Sequence, residues 1–233
     1  MYYDWSYILL MVAFVFSMIA SAGVRNTFNR FGQVQNLRGL TGAQAARIML
    51  DANGLEDVEI KPIQGSLTDN YNPKNRTLNL SQTVYNVPSV SAVSVACHEA
   101  GHAVQHAYGY APLNIRTAIV PVVSFASRLT WIFVIGGILL MSAGSQEMGI
   151  IGSTLFDIGV LAFASVVVFQ LLTLPVEFDA SNRALSQMEA LQIVGGEESR
   201  GAKKVLNAAA MTYVSAAAVS ALNLVRILSM RRR

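Results

Sequence analysis

The chain has 233 residues, of which 53% are hydrophobic and only 13% charged. A soluble domain carries about 25% charged residues, so the composition excludes an ordinary soluble protein and points to the lipid bilayer. The net charge of +3, gathered at the ends of apolar runs, excludes a nucleic-acid surface, and the single cysteine, Cys97, excludes an internal disulfide framework.

Residues 5–24, WSYILLMVAFVFSMIASAGV, hold no charge and match the roughly 20 residues a helix needs to cross a bilayer. The ASA at 20–22 resembles a signal-peptidase site. The leading MYYD has no basic residue, however, so the run reads as an uncleaved transmembrane anchor. Arg25, Arg30 and Arg38 follow it. By the positive-inside bias, residue 25 onward is cytoplasmic.

Residues 25–116 are the most polar part of the chain and read as a cytoplasmic catalytic domain. Thr41, with Gln44 three residues on, predicts a capping box at the start of a helix that Asn53-Gly54 ends. DVEIKPI alternates polar and apolar residues and meets Pro62, which predicts a short edge strand. TDNYNPKNRT reads as turns, and TLNLS as a second short strand placed at an edge. Ser89 to Tyr108 reads as a helix closed by Gly109 and Pro112.

Two apolar runs follow, joined by SAGSQE at 142–147, which contains no Lys or Arg. They predict a membrane hairpin over 117–174 whose connector is extracytoplasmic and whose two open ends return to the cytoplasm. Pro175 then suits the first turn of a new helix over 175–204. The Ala-rich stretch 205–230 either spans the membrane or packs as a buried helix. As a span it would carry Arg231–Arg233 outside, against the charge bias.

All three histidines of the chain fall in VACHEAGHAVQHA, at 98, 102 and 106. On a helix His98 and His102 share a face one turn apart, with Glu99 beside them. This is the H-E-x-x-H arrangement, in which two imidazoles bind zinc and the glutamate serves as general base. The apolar, uncharged flanks suit a buried helix, where charge at 98–99 needs a partner.

A catalytic zinc needs a third protein ligand and an open position. Histidines at i, i+4 and i+8 span about 12 Å of helix axis, too far for one ion, so His106 is expected to support the site from outside the ligand set. Glu177 is the better candidate, because the hairpin returns it to the same side of the membrane. Asp179 is either a rival ligand or an acceptor for a ligand imidazole N–H.

HEAGHAVQ, a two-span hairpin and then LPVEFDASNRAL resemble the bacterial neutral zinc metallopeptidase family of multipass membrane proteins, the YugP-type membrane proteases. RGLTGAQAARIMLDANGL, GSLTDNYNP and TLNLS extend the resemblance over nearly the whole chain. More distantly the chain is similar to HtpX-like gluzincins. The resemblance implies zinc held by His98, His102 and Glu177, with Glu99 as base, in a bacterial multi-pass membrane protein. Those gluzincins usually carry an aspartate four residues after the ligand glutamate, where this chain has Ser181.

The expectation is therefore a mainly α membrane protein. A gluzincin-like protease domain of helices and a small edge sheet is joined to three or four transmembrane helices. Its function would be zinc-dependent endopeptidase activity on a protein or peptide substrate at the cytoplasmic membrane surface. One alternative is an intramembrane site-2-type protease using Asp157; another is a non-catalytic metal-binding scaffold. Oligomer formation and a membrane partner protein stay open.

Overall fold

The computed structural model describes residues 5–230; the readings of residues 1–4 and of Arg231–Arg233 lie outside them. The chain runs α1 (Trp5–Gly32), α2 (Gly42–Asp51), β1 (Glu59–Ile63), β2 (Asn70–Asn72), β3 (Thr77–Ser81) and α3 (Gln82–Tyr85). It continues through α4 (Val90–Ala107), α5 (Ala111–Met141), α6 (Gln146–Ala190) and α7 (Glu197–Met230).

Local chemistry sets the boundaries around α2 and α4. The Thr41 hydroxyl accepts from the Gln44 N–H at 3.3 Å while the Gln44 side chain accepts from the Thr41 N–H at 2.9 Å, completing the capping box. Gly54, at φ +68°, turns the chain after α2, a left-handed conformation that favours glycine. Ser89 caps α4 by accepting from the Ala92 N–H, and Gly109 closes it at φ +65°.

The sheet has the order β1-β3-β2, with β1 parallel and β2 antiparallel to β3. Strand β1 is an edge, as its Pro62 requires. TLNLS is not an edge but the central strand. Leu78, Leu80 and Ser81 are fully buried, and Thr77 nearly so, a burial that follows from having a neighbour on each side. The second edge is β2, hidden in the sequence among asparagines and next to Pro73, residues with low strand propensity.

The chain divides into two compact units. One comprises Ile19–Asn114 and Leu174–Tyr213. Its core centres on α4, whose Val93, Ala96, Cys97 and Ala100 are fully buried and cluster with Met49 and Leu50, Leu78 and Leu80, and Ala184 and Met188. The other comprises the segment up to Met18, Ile115–Thr173 and the segment from Val214. There Gly137 and Gly152 let α5 and α6 meet backbone to backbone: a Cβ on Gly137 would stand 2.7 Å from the Gly152 carbonyl oxygen. Phe156, Val134 and Ile227 form its buried cluster, while Phe125, Ile132 and Leu161 are exposed, as lipid-facing side chains are.

Helices α1, α5, α6 and α7 are each long and apolar enough to cross a membrane, so the described residues contain four such helices. The stretch 205–230 belongs to the last of them. Helix α6 does not restart at Pro175 but runs through it without interruption. A proline inside a helix removes one backbone hydrogen bond; buried Thr173 before it and buried Val176 and Glu177 after it hold the helix in place on either side of that loss.

Candidate metal centre

The site is built where α4 meets α6. A Cβ on Gly101 would lie 2.7 Å from the Ala180 carbonyl oxygen, so the two backbones approach as closely as glycine permits. One turn before Gly101 on α4 is His98, and one turn before Ala180 on α6 is Glu177. The close approach puts these turns face to face, with Glu177 only 1% exposed.

His98 Nε2 and His102 Nε2 converge on the same atom, Glu177 Oε2, at 3.2 and 3.5 Å. The imidazole rings stand edge to face, with centroids 4.8 Å apart. All three donors lie within 4.8 Å of one another. Zinc ligands with bonds near 2.1 Å at tetrahedral corners are separated by about 3.4 Å. The donor set therefore has the spacing that a zinc ion needs.

The outer ring nitrogens support the same reading. His102 Nδ1 is 2.9 Å from Gln105 Oε1, and the Gln105 amide nitrogen donates to the Val176 carbonyl at 2.8 Å and to Asp179 Oδ2 at 2.7 Å. With its NH2 committed to two acceptors, Gln105 can only accept from His102, so Nδ1 carries the proton. A neutral His102 then turns the Nε2 lone pair toward the Glu177 carboxylate. Two acceptors at that distance repel unless a proton or metal cation joins them. Burial pulls the His102 imidazole down, but the hydrogen bond to Glu177, the charges of Glu99 and Glu177, and the bond to Gln105 carry it above its ordinary value.

His98 Nδ1 meets the Ser181 hydroxyl at 3.1 Å. The Ser181 hydroxyl, one turn beyond Glu177 on α6, thus sets the orientation of that imidazole. Asp179 touches neither histidine through the bonds it makes: its Oδ2 accepts from Gln105 and, at 2.6 Å, from Arg183 Nε. It steadies His102 through the intervening amide.

Glu99 lies beside the donors and accepts from the Tyr71 N–H at 3.1 Å. The Tyr71 hydroxyl meets His106 Nδ1 at 2.9 Å, so His106 joins α4 to β2 and stands apart from the three converging donors. The structure thus brings His98, His102 and Glu177 together with Glu99 alongside, while Asp157 lies outside the donor group found among the described residues. Gln105, Ser181 and Tyr71 escape the sequence reading. Gln105, three residues beyond His102 on an otherwise apolar helix, carries the one readable signal, since a buried amide needs partners.

Comparison with known proteins points to a zinc peptidase family. The family described as "Putative neutral zinc metallopeptidase" matches residues 6–232. The chain is similar to "Putative membrane protease YugP" of Bacillus subtilis (strain 168), with 43% identity over 91% of this chain and 94% of the relative. No solved structure matches the chain.

Proposed function

The chain belongs to the neutral zinc metallopeptidase family, and from that premise we propose that it is an integral-membrane zinc endopeptidase with its active site at the cytoplasmic surface. The observation that carries the proposal is the convergence of three buried donors, His98, His102 and Glu177, within 4.8 Å, with an acid on the next residue of the same helix.

Zinc would be held by His98 Nε2, His102 Nε2 and a Glu177 carboxylate oxygen. When bound, the ion supplies Lewis acidity, polarising a peptide carbonyl and acidifying water to a pKa of about 7. Glu99 takes the proton from the attacking water and delivers it to the leaving amine, the general acid–base role. The Tyr71 N–H holds the Glu99 carboxylate in place for that transfer. Gln105 and Ser181 fix the imidazole planes, so that the ring nitrogens facing the ion are the lone-pair ones.

Substrate is expected to add as an extended strand along the outer edge of β2. Strand β3 has both neighbours filled, and the Tyr71 N–H points out of the ladder toward Glu99. The cytoplasmic assignment rests on Arg25, Arg30 and Arg38 after the first apolar run and on the uncharged-to-acidic connector at 142–147. A metal-binding scaffold would have no use for Glu99 beside the ligands.

The test is Glu99→Gln. The variant should keep about one zinc per chain and lose peptide hydrolysis, because it removes the base and no ligand. Turnover equal to the parent protein would refute the mechanism, and zinc content that survives the double replacement of His98 and His102 by alanine would refute the metal site.

A further inference from the structure

A cavity of about 260 Å³ opens beside His98 and Glu99. From α4 it takes Val95, His98 and Glu99, which share one face at i, i+3 and i+4. From α7 it takes Val205, Leu206, Ala209 and Thr212, again one helical face, and Val24 of α1 adds to the aliphatic wall. Among its lining side chains, Asp69 is the acid away from the centre. Both its oxygens are engaged by Ser81, one by the N–H at 2.7 Å and one by the hydroxyl at 3.0 Å, so it offers little to a charged ligand.

We propose that this cavity is the substrate's side-chain pocket and takes one large apolar residue, of the leucine, methionine or phenylalanine class, next to the bond that is cut. The inference rests on the peptidase reading and adds the substrate class to it. Size argues for a single side chain: small-molecule sites begin at about 300 Å³, and this cavity falls just below. Composition argues for an apolar one, because Val24, Val95, Val205, Leu206 and Ala209 from three helices, with Leu67, make up most of the wall, while Thr212 and Tyr213 add polar groups beside His98 and Glu99. Position argues for a residue adjoining the scissile bond, because the proposed base and a proposed ligand form part of the same wall. On α1 and α7 the lining residues follow or precede basic residues immediately: Val24 stands before Arg25, and Val205 after Lys203-Lys204. A substrate segment reaching this pocket is therefore met at the ends of two apolar runs, beside the basic residues that flank them.

The experiment has two arms on the full-length zinc-loaded protein in detergent. In the first, cleavage of a peptide mixture with varied residues around the cut is compared between the parent chain and Ala209→Leu, which fills the cavity. The parent should prefer a large apolar residue at one position flanking the cut. Ala209→Leu should lower the kcat/KM ratio of leucine to alanine at that position about 10-fold or more, the scale on which a few methylenes are discriminated. An unchanged ratio would overturn the pocket while leaving the peptidase reading intact. In the second arm, the Glu99→Gln variant is irradiated with a peptide carrying photo-leucine, and adducts are mapped. Adducts on Val205 or Ala209 support the pocket as the seat of an apolar peptide side chain; if the parent chain also cleaves no peptide, the peptidase reading falls and with it only the placement beside a scissile bond. Adducts there from a photoactivatable fatty acid and none from the peptide would assign the cavity to a lipid chain and overturn the proposal.

Discussion

His102 is held at both ring nitrogens, by Gln105 on one side and Glu177 on the other, and this double hold couples its charge to the metal. Its folded-state pKa lies above the ordinary 6.5. In chelator-treated protein, the stability gained from charged His102 beside Glu177 is fully present below 6.5. It is lost as pH rises through the higher folded-state value. Zinc reverses the slope, since an imidazole must be deprotonated to ligate. Thermal melts across this range should therefore fall with pH in chelator and rise with pH in zinc, and both slopes should shrink in Glu177→Gln. Parallel slopes in the two conditions would contradict the assignment.

The neighbours of the histidines can be ranked in the same way by zinc retention against a graded chelator. Glu177→Ala should lose far more than the 10- to 100-fold typical of an orienting partner. Gln105→Ala and Asp179→Ala should stay within that range, because each frees His102 to rotate without removing a donor. His106→Ala should cost least, as its bond is to Tyr71. Earlier loss of metal from Asp179→Ala or His106→Ala than from Glu177→Ala would mean a different third ligand. Of these residues His98, Glu99 and His102 are legible from spacing alone. Gln105 and Ser181 are not, because which amide or hydroxyl meets a ring nitrogen is decided by how α4 and α6 are docked.

At the scale of the element, Gly101 decides how closely α4 and α6 pack. Replacing a helix-interior glycine by alanine ordinarily stabilises by about 1 kcal/mol. Here the new Cβ would stand 2.7 Å from the Ala180 carbonyl oxygen, a backbone atom that cannot swing aside. Overpacking of this kind costs about 1–3 kcal/mol and should win. Gly101→Ala is expected to lower the melting temperature and weaken zinc binding together, as Glu177 moves away from the histidines. A more stable variant with unchanged zinc affinity would show that the contact relaxes without cost. The elements themselves were unequally legible. The capping box of α2 and the ends of α4 depend on neighbouring residues and were readable. Strand β2 depends on pairing with β3, and the continuity of α6 through Pro175 depends on burial around it; neither is local.

For the whole molecule, the burial of Cys97 is useful. The residue is fully buried, and desolvation pushes its thiol well above the ordinary value, which suppresses the reactive thiolate. The native chain should therefore resist maleimide until it is unfolded. That silence makes single engineered cysteines clean reporters of topology. Ser145 and Asn75 are both exposed. Ser145→Cys should label with an impermeant reagent from outside intact cells, and Asn75→Cys only after permeabilisation. Labelling of position 75 from outside would invert the proposed orientation.

The sequence by itself determined what short-range geometry and composition control. The i, i+4 histidines and the glutamate beside them form a motif on any helix, and long uncharged runs demand a bilayer wherever they fall in a fold. It did not determine which acid meets those histidines. Glu177 and His98 are 79 residues apart, and Asp179 lies two positions further on with the same charge. A helix turns about 100° per residue, so the two acids leave α6 in different directions, Glu177 toward the ring nitrogens of His98 and His102 and Asp179 toward the Gln105 amide. The approach at Gly101 and Ala180 decides which of them meets the histidines. That choice belongs to the tertiary structure, because contact between helices distant in sequence is set by packing over both of their surfaces and not by any stretch of either one.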